Sequence, residues 1–399
     1  MPSQTSTSAT DATVRPSSRR AAGMPRSAIR EIMALAAGRQ DVIHLEVGEP
    51  DFSTPSHIIE GAFEAARAGW TKYSPNAGFP TLRQRVAERI GRAWQREVSA
   101  DQIVITTGAI GALYSALMSV IDPGDEVLIP DPGWPNYEAI VRLADATPVR
   151  FAQTAARGFL PDPDEIARLV TPRTKALLIN TPGNPTGAVF PSALMADISQ
   201  IVRATGIYLI SDEIYEDLVF EGKHVSAAEF APPDRLLVVS GFSKTYAMTG
   251  WRVGWLVCPR DLATIATGLQ EPVTSCASTI AQKAGETALS GDQQCARDFR
   301  NVFRRRRDIV VDVFGNTGLL PAVPEGAFYA LIDIACTGRR SLEFAKELLA
   351  ACNTAVVPGI TFGPSGDRYV RVAFTIADGD LREGLQRMRT YIDTLSSAR

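Results

Sequence analysis

Residues 240 to 254 read Ser-Gly-Phe-Ser-Lys-Thr-Tyr-Ala-Met-Thr-Gly-Trp-Arg-Val-Gly; they hold Lys244 in a turn of small residues and place Arg252 eight positions later. An amine in such a turn can condense with an aldehyde. A planar, forked guanidinium can grip a phosphate in two places, a task that lysine does poorly. The pair therefore suits a cofactor that carries both an aldehyde and a phosphate. A surface lysine ahead of a Gly-Trp turn is the plain alternative, because short patterns recur by accident.

Working upstream, three apolar runs end in polar, breaker-rich segments. Ala176-Leu177-Leu178-Ile179 stops at Asn180 and turns through Thr181-Pro182-Gly183-Asn184-Pro185-Thr186-Gly187; Ile207-Tyr208-Leu209-Ile210 ends in Ser211-Asp212-Glu213-Ile214-Tyr215; Leu236-Leu237-Val238-Val239 ends at the Lys244 turn. Continuous apolar runs separated by helix-length segments predict buried parallel strands, and such sheets bind ligands beyond the carboxyl ends of their strands. Asn184, Asp212 and Lys244 all fall there. Pyridoxal phosphate asks for this set. A carboxylate, Asp212, would keep the ring nitrogen protonated, while Asn184 and Tyr215 would donate to the ring hydroxyl oxygen and tune how readily the lysine linkage exchanges its proton. Taken alone, Asp212 could equally cap a helix.

These motifs, with Leu45-Glu46-Val47-Gly48-Glu49-Pro50-Asp51-Phe52, Lys72-Tyr73-Ser74-Pro75, Asp122-Pro123-Gly124-Asp125-Glu126-Val127 and Thr171-Pro172-Arg173-Thr174-Lys175-Ala176, make the chain resemble the class I/II aminotransferases of fold type I. The likeness is to the branch with bacterial aspartate, aromatic and prephenate enzymes and runs from about Ile43 to the C-terminus. The resemblance implies an α/β fold, with a mostly parallel sheet between helices in a large domain and a smaller α+β domain. It implies a pyridoxal-phosphate enzyme that moves an amino group from an L-amino acid to a 2-oxo acid such as 2-oxoglutarate or pyruvate. Lys244 would be both Schiff-base residue and proton carrier, with Asp212 and Tyr215 beside it in catalysis. Trp134 would stack on the ring, Gly108, Ala109, Ile110 and Arg252 would take the phosphate, and Tyr73 would reach the phosphate of a neighbouring subunit in a homodimer. Arg371 would clamp the substrate carboxylate next to Gly48, Trp134 and Asn184. A free helix N-terminus at 108–110 is also what an anion prefers on physical grounds.

Two departures bear on substrate. Gly241 stands where the aspartate enzymes carry a phosphate-binding serine, with Ser240 and Ser243 as candidate substitutes, and Ile110 stands where acid-selective members carry a lysine. The expected donor is apolar or aromatic. Arg26 is a candidate replacement charge at the pocket mouth. Another reaction through an α-carbanion on the same fold (lyase, racemase or oxidase) stays open, as does a non-catalytic regulator that binds the cofactor.

Composition sets the remaining bounds. With 399 residues, 45% hydrophobic content and a formal net charge of −3, the chain can bury a substantial core, its length suggests two or three domains, and its near-neutral charge argues against a nucleic-acid-binding surface. No run approaches the roughly twenty apolar residues of a membrane span. Five cysteines without metal-ligand spacing suggest reduced, mostly buried thiols and a cytoplasmic protein, and three histidines form no metal set. Arg304–Arg307 reads as a solvated face or ion-pair partner. His57 reads as a cap or a surface residue. The expected organisation is a disordered arm over 1–22, a large domain over 46–285, and a discontinuous small domain from 23–45 and 286–399.

Overall fold

The computed structural model describes residues 18, 24, 28–39 and 41–397. The expectations for the arm over 1–22, residue 18 apart, and for Arg26 lie outside the described residues. In chain order the elements begin with helix α1 (Ala28–Ala36), strand β1 (Ile43–His44), helices α2 (Ser56–Arg67) and α3 (Pro80–Trp94), and strand β2 (Ile103–Thr106). Next come α4 (Gly108–Met118), β3 (Glu126–Asp131), α5 (Pro135–Leu143), β4 (Thr147–Ala152), α6 (Pro163–Leu169), β5 (Thr174–Asn180), α7 (Ser192–Thr205) and β6 (Tyr208–Asp212). After β7 (Leu236–Gly241) and β8 (Gly254–Val257) follow α8 (Arg260–Gln270), α9 (Thr279–Ser290), α10 (Gln294–Phe314) and β9 (Tyr329–Asp333). The chain closes with α11 (Ser341–Cys352), β10 (Thr354–Ala355), β11 (Val357–Pro358), β12 (Tyr369–Ala373) and α12 (Asp378–Ser397).

The three apolar runs are β5, β6 and β7, adjacent and parallel at the middle of a seven-stranded sheet ordered β2-β8-β7-β6-β5-β3-β4. Both faces of these strands are covered, which is why they read as unbroken apolar runs and not as alternating ones. Successive side chains point to opposite faces. Leu177, Ile179, Leu209, Leu236 and Val238 enter one core with α2, α3, α7 and α9, while Ala176, Leu178, Ile210, Leu237 and Val239 enter the other with α4, α5 and α8.

Within this sheet β8 runs antiparallel to both of its neighbours, β2 and β7. Its beginning, not its end, therefore lies at the rim where β5, β6 and β7 finish. Arg252, just ahead of β8, is delivered to the same edge as Asp212 and Lys244.

A third core gathers the C-terminal elements. Phe303, Val310 and Phe314 of α10, Phe344 and Leu348 of α11, Leu381 and Leu385 of α12 and the strands β9 and β12 pack with Ile32 and Ala36 of α1. The N-terminal helix thus packs against C-terminal elements. Ile214 and Tyr215, in the turn after β6, also belong to this core, so the turn that follows Asp212 joins it to the sheet.

Some local expectations give way. Arg306 and Arg307 are buried. Arg306 donates to both oxygens of Asp51 at 2.7 and 2.8 Å and to Asp378 at 3.2 Å, so within the run it pins the loop after Gly48 to α10. All five cysteines are free, yet only Cys258 is buried; Cys276, Cys295, Cys336 and Cys352 sit in loops or at element ends, where side chains keep contact with solvent. His57 does not cap α2, whose cap residue is Pro55, and its Nε2 is buried.

Candidate active site

The carboxyl rim of the sheet opens into a cavity of about 770 Å³ lined by Gly48, Ala109, Ile110, Trp134, Asn184, Asp212, Tyr215, Lys244, Arg252 and Arg371 among others. The chain brings these expected residues to one place from seven separate segments. Gly108 abuts them through Arg252. Tyr73 stands apart: it is 87% exposed and outside the cavity of its own chain.

Lys244 is the one lysine on the wall among the described residues. Its Nζ donates to the Gly48 carbonyl at 2.9 Å. Burial lowers its ionisation to about 8, with Arg371 and Arg252 acting in the same direction and Glu49 and Asp212 against it. A fraction of the amine is thus neutral, and nucleophilic, near physiological pH.

Asp212, the last residue of β6, is buried. Its Oδ2 accepts from Tyr137 at 2.8 Å and its Oδ1 from the Ile214 backbone at 3.2 Å. Burial raises its carboxyl to about 6 against the opposing pull of those two hydrogen bonds. Asn180 ties the strand ends together, donating to the Asp212 carbonyl at 3.0 Å and accepting from the Asn184 backbone at 2.8 Å. Tyr215 shares a hydrogen bond of 2.9 Å with Tyr329, and burial raises both phenols, so both stay protonated.

An anion cradle forms at the start of α4. A Cβ on Gly254 would lie 2.6 Å from the Ala109 nitrogen, so only glycine lets the helix N-terminus settle on β8. A Cβ on Gly108 would lie 2.8 Å from an Arg252 guanidinium nitrogen. Arg252 itself sits at φ +56°, a left-handed conformation that costs a residue with a Cβ roughly 1–2 kcal/mol and is held here by the fold. Its Nη1 donates to the Thr249 carbonyl at 2.8 Å, which aims the fork. Ser243 lines the cavity, whereas Ser240 donates to Glu216 at 3.1 Å on the opposite side of the turn. Of the two serines, Ser243 alone is placed for an anion.

Arg371, central on β12, is buried. It donates from Nη2 to the Glu46 carbonyl at 2.7 Å and from Nη1 to Asn184 Oδ1 at 3.3 Å, and it lies 4.4 Å from the centre of the Tyr329 ring. Burial lowers its basicity, and its Nε has no partner among the described residues. A desolvated fork with an unspent N–H is prepared for a carboxylate.

Tyr137, Tyr329, Asn180, Ile29 and Met33 also belong to this wall and were not singled out by motif. Tyr137 lies three residues after Trp134 on a proline-started helix, a spacing that could have suggested it. Tyr329 carried no local signal.

This arrangement fits pyridoxal phosphate: a buried amine, a buried acid with its own donor, and a glycine-lined helix N-terminus beside a forked cation. The fold and this rim define a transferase of that cofactor class. The profile of the family described as Aminotransferase class I and II matches residues 40–388. The chain is 39% identical to the aspartate/prephenate aminotransferase of Thermus thermophilus over 378 residues, covering 93% of this chain and 97% of the relative. A solved structure of Thermus thermophilus aspartate aminotransferase with maleate superposes with a TM-score of 0.89 at 38% identity, covering 94% of this chain and all of that one. The aromatic aminotransferase of Pyrococcus horikoshii gives 0.86 at 35% identity, covering 92% and 99%. The chain belongs to the class I and II aminotransferases, and it is a pyridoxal-phosphate-dependent enzyme of amino-group transfer.

Proposed function

We propose that this enzyme takes its amino group from L-amino acids with apolar or aromatic side chains and passes it to a 2-oxo acid such as 2-oxoglutarate or pyruvate. The observation that carries the reading is the charge of the cavity wall. Among the described residues its cations are Lys244, Arg252 and Arg371. Each has a role: Lys244 Nζ joins the cofactor, Arg252 faces the phosphate and Arg371 takes the α-carboxylate of the substrate. No cation among the described residues of the wall is left for a second carboxylate, and Ile110, Ile29 and Met33 offer apolar surface in its place.

Pyridoxal phosphate supplies the electron sink that makes loss of an α-proton feasible. Asp212, aligned by Tyr137, would hold the ring-nitrogen proton, and Asn184 and Tyr215 would donate at the ring oxygen. Trp134, T-shaped against Tyr137, would cover the ring face. Lys244 Nζ would carry the α-proton across one face of the bound substrate, its lowered basicity matching the task. We place the working unit as a homodimer in which Tyr73, exposed on its own chain, serves the partner's phosphate; exposed Phe63 and Trp70 nearby support an interface there. No helix among the described residues is long and apolar enough to cross a membrane, and a cytoplasmic location is the reading we adopt.

Initial rates for a panel of L-amino acids against pyruvate and 2-oxoglutarate test the donor class. Phenylalanine or leucine should exceed aspartate and glutamate in kcat/KM by tenfold or more, of the order a desolvated, unpaired carboxylate would cost. A higher value for aspartate than for every apolar donor overturns the reading.

A further inference from the structure

Behind the Lys244 turn lies a half-buried charged block that the amino-transfer chemistry does not use. Arg89, on α3, points its Nη2 at Asp217 Oδ2 at 2.6 Å and at Glu216 Oε1 at 3.5 Å. Glu216 Oε1 also accepts from Ser240 at 3.1 Å, and Asp217 Oδ2 also accepts from Thr245 at 2.7 Å. One guanidinium therefore holds two adjacent carboxylates that would otherwise repel, and those carboxylates hold the two ends of the segment that carries Lys244. Glu216 and Asp217 directly follow Tyr215, which lines the cavity; Thr245 directly follows Lys244, is buried, and is absent from the cavity wall.

We infer that Thr245, held by the Asp217–Arg89 pair, is a positioning residue that fixes where the Lys244 amine stands relative to Asp212 and Tyr215. The brace joins the two turns that bear the reacting amine and the ring-nitrogen carboxylate, from the side opposite the substrate. An ion pair suits the task because its geometry is directional, whereas apolar packing alone leaves a lysine turn several arrangements. A displacement of about 1 Å at a proton-carrying group costs on the order of a hundredfold in rate.

Thr245→Val tests this, since it keeps the shape and removes the donor while Asp217 retains Arg89. The resting holoenzyme, without substrate, is titrated by absorbance to follow the proton on the Lys244–cofactor linkage. Loosening the turn admits water, which favours the charged form, so the midpoint should rise by about half a pH unit or more. In turnover kcat should fall about tenfold with the donor KM within about twofold, and Thr245→Ser should restore both midpoint and kcat. A midpoint coincident with that of the unaltered enzyme, whatever the melting temperature does, overturns the inference. Should the valine variant fail to fold, Asp217→Asn is read the same way: a displaced midpoint supports the brace and an unmoved one overturns it.

Discussion

Replacing Asp212 with asparagine should stabilise the cofactor-free chain at neutral pH. Burial holds the Asp212 carboxyl at about 6 against an ordinary 3.8, even with Tyr137 and the Ile214 backbone donating to it. A shift of about two units corresponds to roughly 3 kcal/mol between the two protonation states. The folded chain binds this proton more tightly than the unfolded chain does. Its stabilising contribution is therefore complete below about pH 4 and is lost as pH rises through about 6.

At about pH 7.5 the ionised carboxylate works against folding by that amount, whereas the isosteric amide carries no charge, can still accept from the Ile214 backbone and can donate to the Tyr137 oxygen. Urea unfolding of cofactor-stripped wild type and Asp212→Asn, at several pH values from about 4 to 7.5, reads the difference directly. The variant should gain roughly 3 kcal/mol over wild type at the upper end and almost nothing at the lower, with the gap opening between about pH 4 and 6. Loading with pyridoxal phosphate should reverse the order, because a protonated ring nitrogen supplies the counter-charge that the apo site lacks. A gap that is the same at both ends of the range, or a variant less stable than wild type throughout, refutes the assignment of Asp212 as a strained, cofactor-seeking carboxylate.

Three further outcomes are expected. Gly241→Ser should not improve phosphate binding: its Cβ would meet the Gly254 Cα at 2.9 Å between paired strands, so the variant should lose about 1–3 kcal/mol in denaturant unfolding, and unchanged stability with tighter cofactor retention would contradict this. The protein should sediment as a dimer at micromolar concentration, and Tyr73→Phe should release cofactor about tenfold more readily through loss of a charge-assisted hydrogen bond; a monomeric profile would remove the shared site.

Much of the site was legible because it is carried by residues whose chemistry is local. Lys244 lies in a turn of small residues, Asp212 and Asn184 follow apolar runs, and Gly108 opens a helix after a strand; each announces itself within a few positions of sequence. The partners that complete the site do not. Tyr329 meets Tyr215 only because β9 belongs to a separate antiparallel sheet, and Arg89 reaches the Lys244 turn from a helix more than a hundred and fifty positions upstream. The arginine run divides for the same reason: Arg304 and Arg305 are exposed, while Arg306 and Arg307 turn inward as ion-pair partners. Arg306 and Arg307 are buried because acids distant in sequence meet them, Asp51 and Asp378 for Arg306 and Glu221 for Arg307.

The direction of β8 shows why those long-range facts matter to chemistry. Because it runs against β2 and β7, the segment entering it delivers Arg252 to the rim where β6 delivers Asp212 and β7 leads to Lys244. Among the ionisable groups of the cavity that burial moves from their ordinary values are Asp212, raised, and Lys244 and Arg371, lowered. In each case the charged form is disfavoured until a complement arrives, which on the proposed reading is a ring-nitrogen cation for Asp212 and a substrate carboxylate for Arg371. For Lys244 the same desolvation leaves a neutral amine ready to react. Desolvation that would be a defect in a merely structural protein thus becomes differential affinity, since ligands that restore these charges are bound by the free energy the empty site withholds.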